Sequence, residues 1–266
     1  MEAQDQGQVT ASAADIYETF FVPALFGEWA PRIADTARLS PGDDVLDIAC
    51  GTGVLAREAL ARVGPEGSVT GLDRNADMLA VARRTTPDIT WCEGMAEDLP
   101  FDDGSFDAVA SQFGLMFFDD QVASLKEMHR VLRPGGRLVV AVWDSLERSP
   151  GYRAVAALLQ RLFGTSIADA MRAPFTLGET ADVCQLFDKA GIAEVSVETV
   201  TGTANFTSID AWVHTDIKGW TLADLIDDEQ YALLEAEAGK DLAPFTDADG
   251  RVSFASPAHL LSAAKT

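Results

Sequence analysis

The chain has 266 residues, 47% of them hydrophobic and 23% charged, which predicts a globular protein with a sizeable buried core. Its formal net charge of −22, with no basic stripe to offset it, disfavours a nucleic acid as partner. No run approaches the roughly 18 consecutive apolar residues of a membrane helix. The three cysteines are scattered, so we expect a cytoplasmic protein without a disulfide framework or bound metal.

Residues 13–39 have the apolar spacing of one or two helices, with a break near Pro31. Strands and helices then alternate from Val45 to Trp143. The strands are predicted at 45–48, 68–73, 89–92, 106–111 and 137–143, and the helices from 54 onward, at 75–85 and at 122–132. This alternation predicts right-handed βαβ units and therefore an α/β fold, in which a doubly wound, mostly parallel, Rossmann-like sheet binds ligand at the carboxyl ends of its strands.

The rest of the chain departs from this alternation. Helices are predicted at 150–163, 180–190, 208–225 and 229–242, with a strand at 194–206 and a short last strand at 251–254. The sheet would then have seven strands, with helical lid insertions over the carboxyl ends. We divide the chain into an N-terminal helical cap (1–40), a ligand-binding core (41–145) and a C-terminal part with the lid and the last strands (146–266).

The first predicted strand ends in Asp47 and opens into the turn Gly51-Thr52-Gly53, just before a helix. Such a turn lets the backbone approach a nucleotide-like ligand, and the helix start offers unpaired N–H groups. A second acidic strand end, Asp73, follows about 20 residues after the turn, where a ribose-binding carboxylate is expected. Together these residues predict a nucleoside-binding crevice.

Four segments in this order resemble the class I S-adenosylmethionine-dependent methyltransferases, and most closely the small-molecule type that includes quinone methyltransferases. They are VLDIACGTG (45–53), VTGLDRNADML (69–79), GMAEDLPF (94–101) and FDAVASQFGLMFF followed by LRPGGRL (106–138). The resemblance implies S-adenosylmethionine as cofactor, S-adenosylhomocysteine as product and a small-molecule methyl acceptor. It is also compatible with a homodimer.

The resemblance further implies a role for each matching residue. Asp47 and the turn Gly51, Thr52 and Gly53 would hold the methionine moiety, and Asp73 the ribose hydroxyls. The remaining contacts would be Arg74 and Met78 beside the adenine, Met95, Ala96 and Glu97 along its edge, Ser111, Gln112 and Phe113 at the sulfonium, and Tyr17 and Trp29 as a cover.

Met95 departs from the family, which usually has Asp or Asn at this position to accept from the adenine amino group. A methionine is a poor acceptor. Either Glu97 or a backbone carbonyl replaces that contact, or adenine is discriminated less strongly.

Methyl transfer needs alignment more than acid–base chemistry, because the sulfonium already activates the methyl group. If a base is used, we expect His214 in the lid or Asp144 after the fifth strand, ahead of His129 and His259.

Two alternatives remain open at this point. Gly51-x-Gly53-x-x-Ala56 approximates the fingerprint of an NAD-dependent oxidoreductase, although Asp47 would repel a pyrophosphate. The same residues would also serve a non-catalytic protein that binds S-adenosylmethionine.

Overall fold

Seven strands form a single sheet. They are β1 (Asp44–Ile48), β2 (Ser68–Asp73), β3 (Thr90–Glu93), β4 (Phe106–Gln112), β5 (Leu132–Trp143), β6 (Ser196–Phe206) and β7 (Val252–Ala264). The computed structural model describes residues 11–219, 222 and 225–266. The strand order is β3-β2-β1-β4-β5-β7-β6, and β7 runs antiparallel to both of its neighbours. The predicted doubly wound, mostly parallel seven-stranded sheet is therefore confirmed.

Ten α-helices are present in the described residues. They are α1 (Ala11–Ile16), α2 (Trp29–Thr36), α3 (Val54–Val63), α4 (Ala76–Thr85), α5 (Gln121–Val131), α6 (Pro150–Phe163), α7 (Thr165–Arg172), α8 (Thr180–Ala190), α9 (Ile209–Lys218) and α10 (Asp228–Asp241). None of the helices in this part of the chain is long and apolar enough to cross a membrane.

The central strands are apolar on both faces, because helices cover the sheet from both sides. Leu46 and Ile48 of β1 are fully buried, as are Val139 and Val140 of β5. One hydrophobic cluster extends from the N-terminal helices through these strands to Phe254 of β7.

The N-terminal helices break at a different place from the one predicted. A π-helical segment, Tyr17–Phe26, continues α1 directly, and the break lies at Gly27 and Glu28, before α2. Pro31 falls in the first turn of α2, where N–H groups have no partner within the helix, so it costs no hydrogen bond.

The C-terminal predictions need two further corrections. The short strand expected at 251–254 is wrong, because β7 continues to Ala264 and pairs with β5 and β6. Its Ala, Ser and Pro257 are weak strand formers, so pairing with two neighbours decides its conformation. The helix expected at 208–225 ends at Lys218, and part of the remaining prediction falls on positions 220, 221, 223 and 224, outside the described residues.

The strand order reverses at β1, which pairs with β2 on one side and with β4 on the other. From β1 the chain moves outward to β2 and β3, and then returns to β4 and β5. A ligand crevice forms at such a switch point, outside the carboxyl ends of the strands. The ends of β1, β2 and β4 therefore locate the functional site.

Candidate functional site

The turn between β1 and α3 has a left-handed backbone at three of its residues. Ala49, Gly51 and Gly53 have φ angles of 55°, 54° and 91°. The N–H of Cys50 donates to the carbonyl of Leu72 at 3.1 Å, and the N–H of Gly53 donates to the carbonyl of Cys50 at 2.8 Å. These bonds hold the turn against the end of β2.

The two glycines of this turn serve different purposes. A Cβ at Gly51 would point toward Tyr17 Cε1, 3.9 Å away, with no atom of the described residues closer. A Cβ at Gly53 would lie only 2.4 Å from the Trp91 ring. Gly51 therefore faces open space at the crevice, whereas Gly53 makes room for the Trp91 indole.

Asp73 ends β2 with its carboxylate already oriented. Its Oδ2 accepts from the N–H of Gly51 at 2.8 Å, and its Oδ1 accepts from the N–H of Asn75 at 2.8 Å. Burial raises the pKa of Asp73, and these two amides offset part of the rise. A carboxylate has about four lone-pair directions, so Asp73 keeps capacity for further donors such as ribose hydroxyls.

Asp47 lies deeper than Asp73, below the turn. It is 1% exposed, and neither of its carboxylate oxygens has a hydrogen-bond partner among the described residues. Burial raises the pKa of Asp47 well above its ordinary value, and the negative charge of Asp73 adds to the rise. The Ala56 amide offsets part of this without reaching hydrogen-bond geometry. A cationic ligand above Asp47 would relieve the cost of its charge.

A cavity of about 880 Å³, partly open to solvent, lies beside these residues. Nine of the residues assigned to the cofactor from the sequence line this cavity: Tyr17, Gly51, Asp73, Arg74, Met78, Ala96, Glu97, Gln112 and Phe113.

Two non-glycine residues with a left-handed backbone, Ala49 and Phe113, also line the cavity. Phe113 has a φ of 58°, and its N–H donates to the carbonyl of Ala141 at 3.0 Å. Such conformations cost energy and persist where surrounding structure enforces them, commonly at functional sites. Both residues directly follow the strands at the switch point.

The wall next to β4 is aromatic. The Phe113 ring stacks on Trp143 with centroids 3.6 Å apart, and the Tyr17 ring stacks on Phe26 at 5.0 Å. The side-chain amide of Gln112 donates to the Phe26 carbonyl at 3.1 Å. This bond attaches the N-terminal segment to the end of β4 and closes one side of the crevice.

Glu97 connects the loop after β3 to the start of α5. Its Oε1 accepts from the N–H groups of Asp119 at 2.9 Å and of Asp120 at 3.3 Å. Arg74 lies 3.5 Å from the Asp119 carboxylate. Met95 does not line the cavity and is 39% exposed. Glu97 does line the cavity and places a carboxylate at this end of the crevice.

The remaining predicted cofactor residues do not line the cavity. Trp29 is fully buried and packs edge-to-face on Phe113 at 5.5 Å. The hydroxyls of Thr52 and Ser111 are buried and have no partner in the described part of the chain. With Asp47, Gly53 and Met95, these residues surround the crevice without forming its surface.

Neither predicted base lies on the cavity wall. The His214 ring meets the edge of the Phe20 ring, with centroids 5.7 Å apart. Asp144 is buried, accepts from the N–H of Ser145 at 2.6 Å and lies 3.4 Å from His259 Nε2. Both side chains are therefore engaged in packing or in a polar network outside the crevice.

Sequence reasoning missed several residues of the wall: Phe26, Ala49, Leu72, Asn75, Gly94, Phe117 and Phe118. Asn75 carried a recognisable signal, because its side chain caps α4 by accepting from the N–H groups of Asp77 and Met78. Phe26 carried none, since its position depends on how the π-helical segment packs.

The comparisons with known proteins agree with this geometry. A family model described as a methyltransferase domain matches residues 45–136. A demethylmenaquinone methyltransferase of Staphylococcus carnosus is 34% identical over 188 residues, which cover 65% of this chain and 78% of that protein.

Solved structures share the fold. Phosphoethanolamine N-methyltransferase 2 of Haemonchus contortus, in complex with S-adenosyl-L-methionine, superposes with a TM-score of 0.60 at 19% identity, covering 96% of this chain and 57% of that chain. The YcgJ protein of Bacillus subtilis superposes with a TM-score of 0.61 at 20% identity, covering 90% of this chain and 98% of that chain. The relatives and the fold agree that this chain belongs to the class I S-adenosylmethionine-dependent methyltransferases that act on small molecules.

Proposed function

We propose that S-adenosylmethionine binds in the crevice at the ends of β1, β2 and β4, with its ribose on Asp73, and that the methyl acceptor is a small, mainly apolar ring compound. The observation that carries the first part is the Asp73 carboxylate. It is buried, held by two backbone amides, and placed on the cavity wall with acceptor capacity to spare. Hydroxyl groups are the donors that suit it.

The two ends of the crevice suit the two ends of this cofactor. At one end, Asp47 without a partner favours an ammonium group above it, and the start of α3 favours a carboxylate. At the other end, Met78 supplies an apolar contact for the adenine, and Glu97 supplies an acceptor near its edge. The sulfonium would then lie near Gln112 and Phe113.

When bound, the cofactor supplies a methyl group that its positive sulfur activates for transfer. The residues of this chain orient the two reactants and exclude water. Alignment of this kind can lower a barrier by about 7–11 kcal/mol, whereas a general base adds about 10²–10⁴-fold in rate. A wall without His214 or Asp144 is therefore compatible with catalysis.

Two observations support an apolar ring as the acceptor. The wall beside the expected sulfonium position is built from Phe26, Phe113, Phe117 and Phe118. The curated relatives are named demethylmenaquinone methyltransferases, which places a quinone-type ring among the acceptors to test first.

Thermal unfolding with added ligands tests the cofactor assignment. S-adenosylhomocysteine at a hundredfold excess over its Kd should stabilise the protein by about 2.7 kcal/mol, and NAD should not. Stabilisation by NAD alone would support the oxidoreductase and contradict the proposal. Binding of the cofactor without transfer to any acceptor in a panel of hydroxylated and quinone-type rings would favour the non-catalytic alternative.

A further inference from the structure

A second group of buried polar side chains lies between α6 and α9. It consists of Tyr152 on α6 and Trp212 and Asp216 on α9, and we call it the lid cluster. Their side chains are buried, and Tyr152 Oη, Trp212 Nε1 and Asp216 Oδ2 have neither solvent contact nor a hydrogen-bond partner among the described residues. Buried polar groups are normally paired, so three orphans in one place call for a ligand.

The three side chains of the lid cluster lie close together. The Tyr152 and Trp212 rings meet edge-to-face with centroids 6.5 Å apart. Trp212 and Asp216 are four residues apart on α9 and therefore share one face of the helix. Burial raises the pKa of Tyr152, and the charge of Asp216 adds to that rise. Burial also raises the pKa of Asp216; the nearby Trp212 indole opposes the rise without reaching hydrogen-bond geometry.

Helix α9 packs against the π-helical segment Tyr17–Phe26, which forms part of the crevice wall. Gly219 lies three residues beyond Asp216, and a Cβ there would be 3.1 Å from Phe21 Cδ2. The Phe21 ring lies 5.7 Å from Tyr17 and 5.6 Å from Phe26, and both of these residues line the cavity. Helix α9, which carries two residues of the lid cluster, therefore contacts the segment that closes the crevice.

The unpaired atoms define the group that they would bind. Asp216 offers an acceptor, whereas the Tyr152 hydroxyl and the Trp212 indole offer donors. A hydroxyl group has one hydrogen to donate and two lone pairs to accept, so it satisfies all three. An ammonium group would satisfy Asp216 and leave both donors unpaired.

The surroundings of the lid cluster suit a flat apolar body. Phe175 lies 5.5 Å from the Tyr152 ring, and Phe254 and Phe206 lie 4.6 Å and 5.7 Å from the Trp212 ring. Edge-to-face and stacked arrangements of this kind are the ones that aromatic rings prefer, so a ligand ring would find suitable partners here.

We propose that Asp216, Tyr152 and Trp212 bind a hydroxyl group of the methyl acceptor, and that the acceptor is a hydroxylated aromatic ring such as a phenol or a hydroquinone. This inference rests on the proposed function, because it requires the cofactor in the adjoining crevice. Since no solvent reaches the three polar atoms, the acceptor ring displaces side chains to reach them.

Calorimetric titration of the protein saturated with S-adenosylhomocysteine tests this proposal without turnover. The probes are 2-naphthol, its methyl ether 2-methoxynaphthalene, and 2-naphthylamine. We expect 2-naphthol to bind at least about tenfold more tightly than the ether, because the ether has no hydrogen to donate to Asp216. Asp216→Asn should reduce that preference, because an amide oxygen is a weaker acceptor than a carboxylate, and should leave the Kd of S-adenosylhomocysteine unchanged.

Asp210→Asn is the matched control, since Asp210 is an exposed carboxylate on the same helix, and it should keep the preference. Should Asp216→Asn fail to fold, Tyr152→Phe and Trp212→Phe each remove one donor to the ligand oxygen and should each weaken the binding of 2-naphthol. Equal binding of 2-naphthol and the ether, no binding of either, a preference for the amine, or a preference that Asp216→Asn leaves undiminished would overturn the inference. Failure of S-adenosylhomocysteine to bind would instead refute the proposed function.

Discussion

The backbone N–H of Gly51 donates to Oδ2 of Asp73 at 2.8 Å, and this bond joins the turn after β1 to the end of β2. The carboxylate is therefore held in place before any ligand arrives. A group that is already oriented loses little freedom on binding, so more of its interaction energy contributes to affinity. The proposed ribose contact depends on this relationship.

Asp73→Asn should raise the Kd of S-adenosylhomocysteine by at least about tenfold. A hydrogen bond to a charged group contributes about 1.5–3 kcal/mol, and about 1.4 kcal/mol corresponds to a tenfold change in Kd. Asparagine also replaces one of the two acceptor oxygens by an amino group, which cannot accept the backbone N–H that the carboxylate oxygen accepts. Isothermal titration calorimetry measures the change. Asp102→Asn, at an exposed carboxylate, serves as control and should leave the Kd of S-adenosylhomocysteine unchanged. An unaltered Kd in Asp73→Asn would contradict the proposed ribose contact.

Asp47→Asn should change how stability depends on pH. Burial raises the pKa of Asp47 in the folded protein above the value of an unfolded carboxyl. The folded state therefore holds this proton when the unfolded state has released it, and the wild type loses stability as pH rises from about 4 through the raised pKa. The variant lacks this loss, so its stability relative to the wild type should grow with pH. Urea unfolding without ligand across this range measures the difference; a difference independent of pH would be incompatible with a raised pKa.

Gly53→Ala should destabilise the protein more than Gly42→Ala does. Both glycines have a left-handed backbone, with φ angles of 91° and 88°, so both substitutions carry a similar cost of about 1–2 kcal/mol. A Cβ at Gly42 would meet no atom within 4 Å in the described part of the chain, whereas one at Gly53 would clash with Trp91. Overpacking adds about 1–3 kcal/mol.

Urea unfolding of both variants measures this excess. Trp91→Leu in the Gly53→Ala background should recover part of it, because the smaller side chain leaves room for the new methyl group. Equal costs for Gly53→Ala and Gly42→Ala would show that the Trp91 contact does not require a glycine.

His214→Ala should leave kcat and KM within about twofold of the wild type once an acceptor is known, since surface substitutions away from a site have small effects. The His214 ring contacts Phe20 and does not line the cavity. Gln112→Ala is the positive control, because Gln112 lines the cavity and holds the Phe26 carbonyl, and it should lower kcat/KM. A large loss of kcat in His214→Ala would restore this histidine as the base.

Local patterns in the sequence were sufficient to predict the alternating part of the fold. The run from Val45 to Trp143 has buried apolar strands, turn residues and amphipathic helices that all indicate βαβ units, and such consistency specifies one topology. The β7 strand lacked this consistency, because its small residues and Pro257 form a strand only when β5 and β6 supply partners.

The amino-acid sequence by itself determined which strand ends meet, because the order of parallel βαβ units places the ends of β1, β2 and β4 at one edge, with Asp47, Gly51 and Asp73 close together. Only the tertiary structure decided which side chains form the surface of the crevice. Asp73 lies on its wall and Asp47 lies beneath it, and His214 and Asp216 lie two residues apart on α9 but point in different directions. The physical reason is that helical and strand periodicity place a side chain on one face of its element, whereas the packing of that element against its neighbours decides what the face meets.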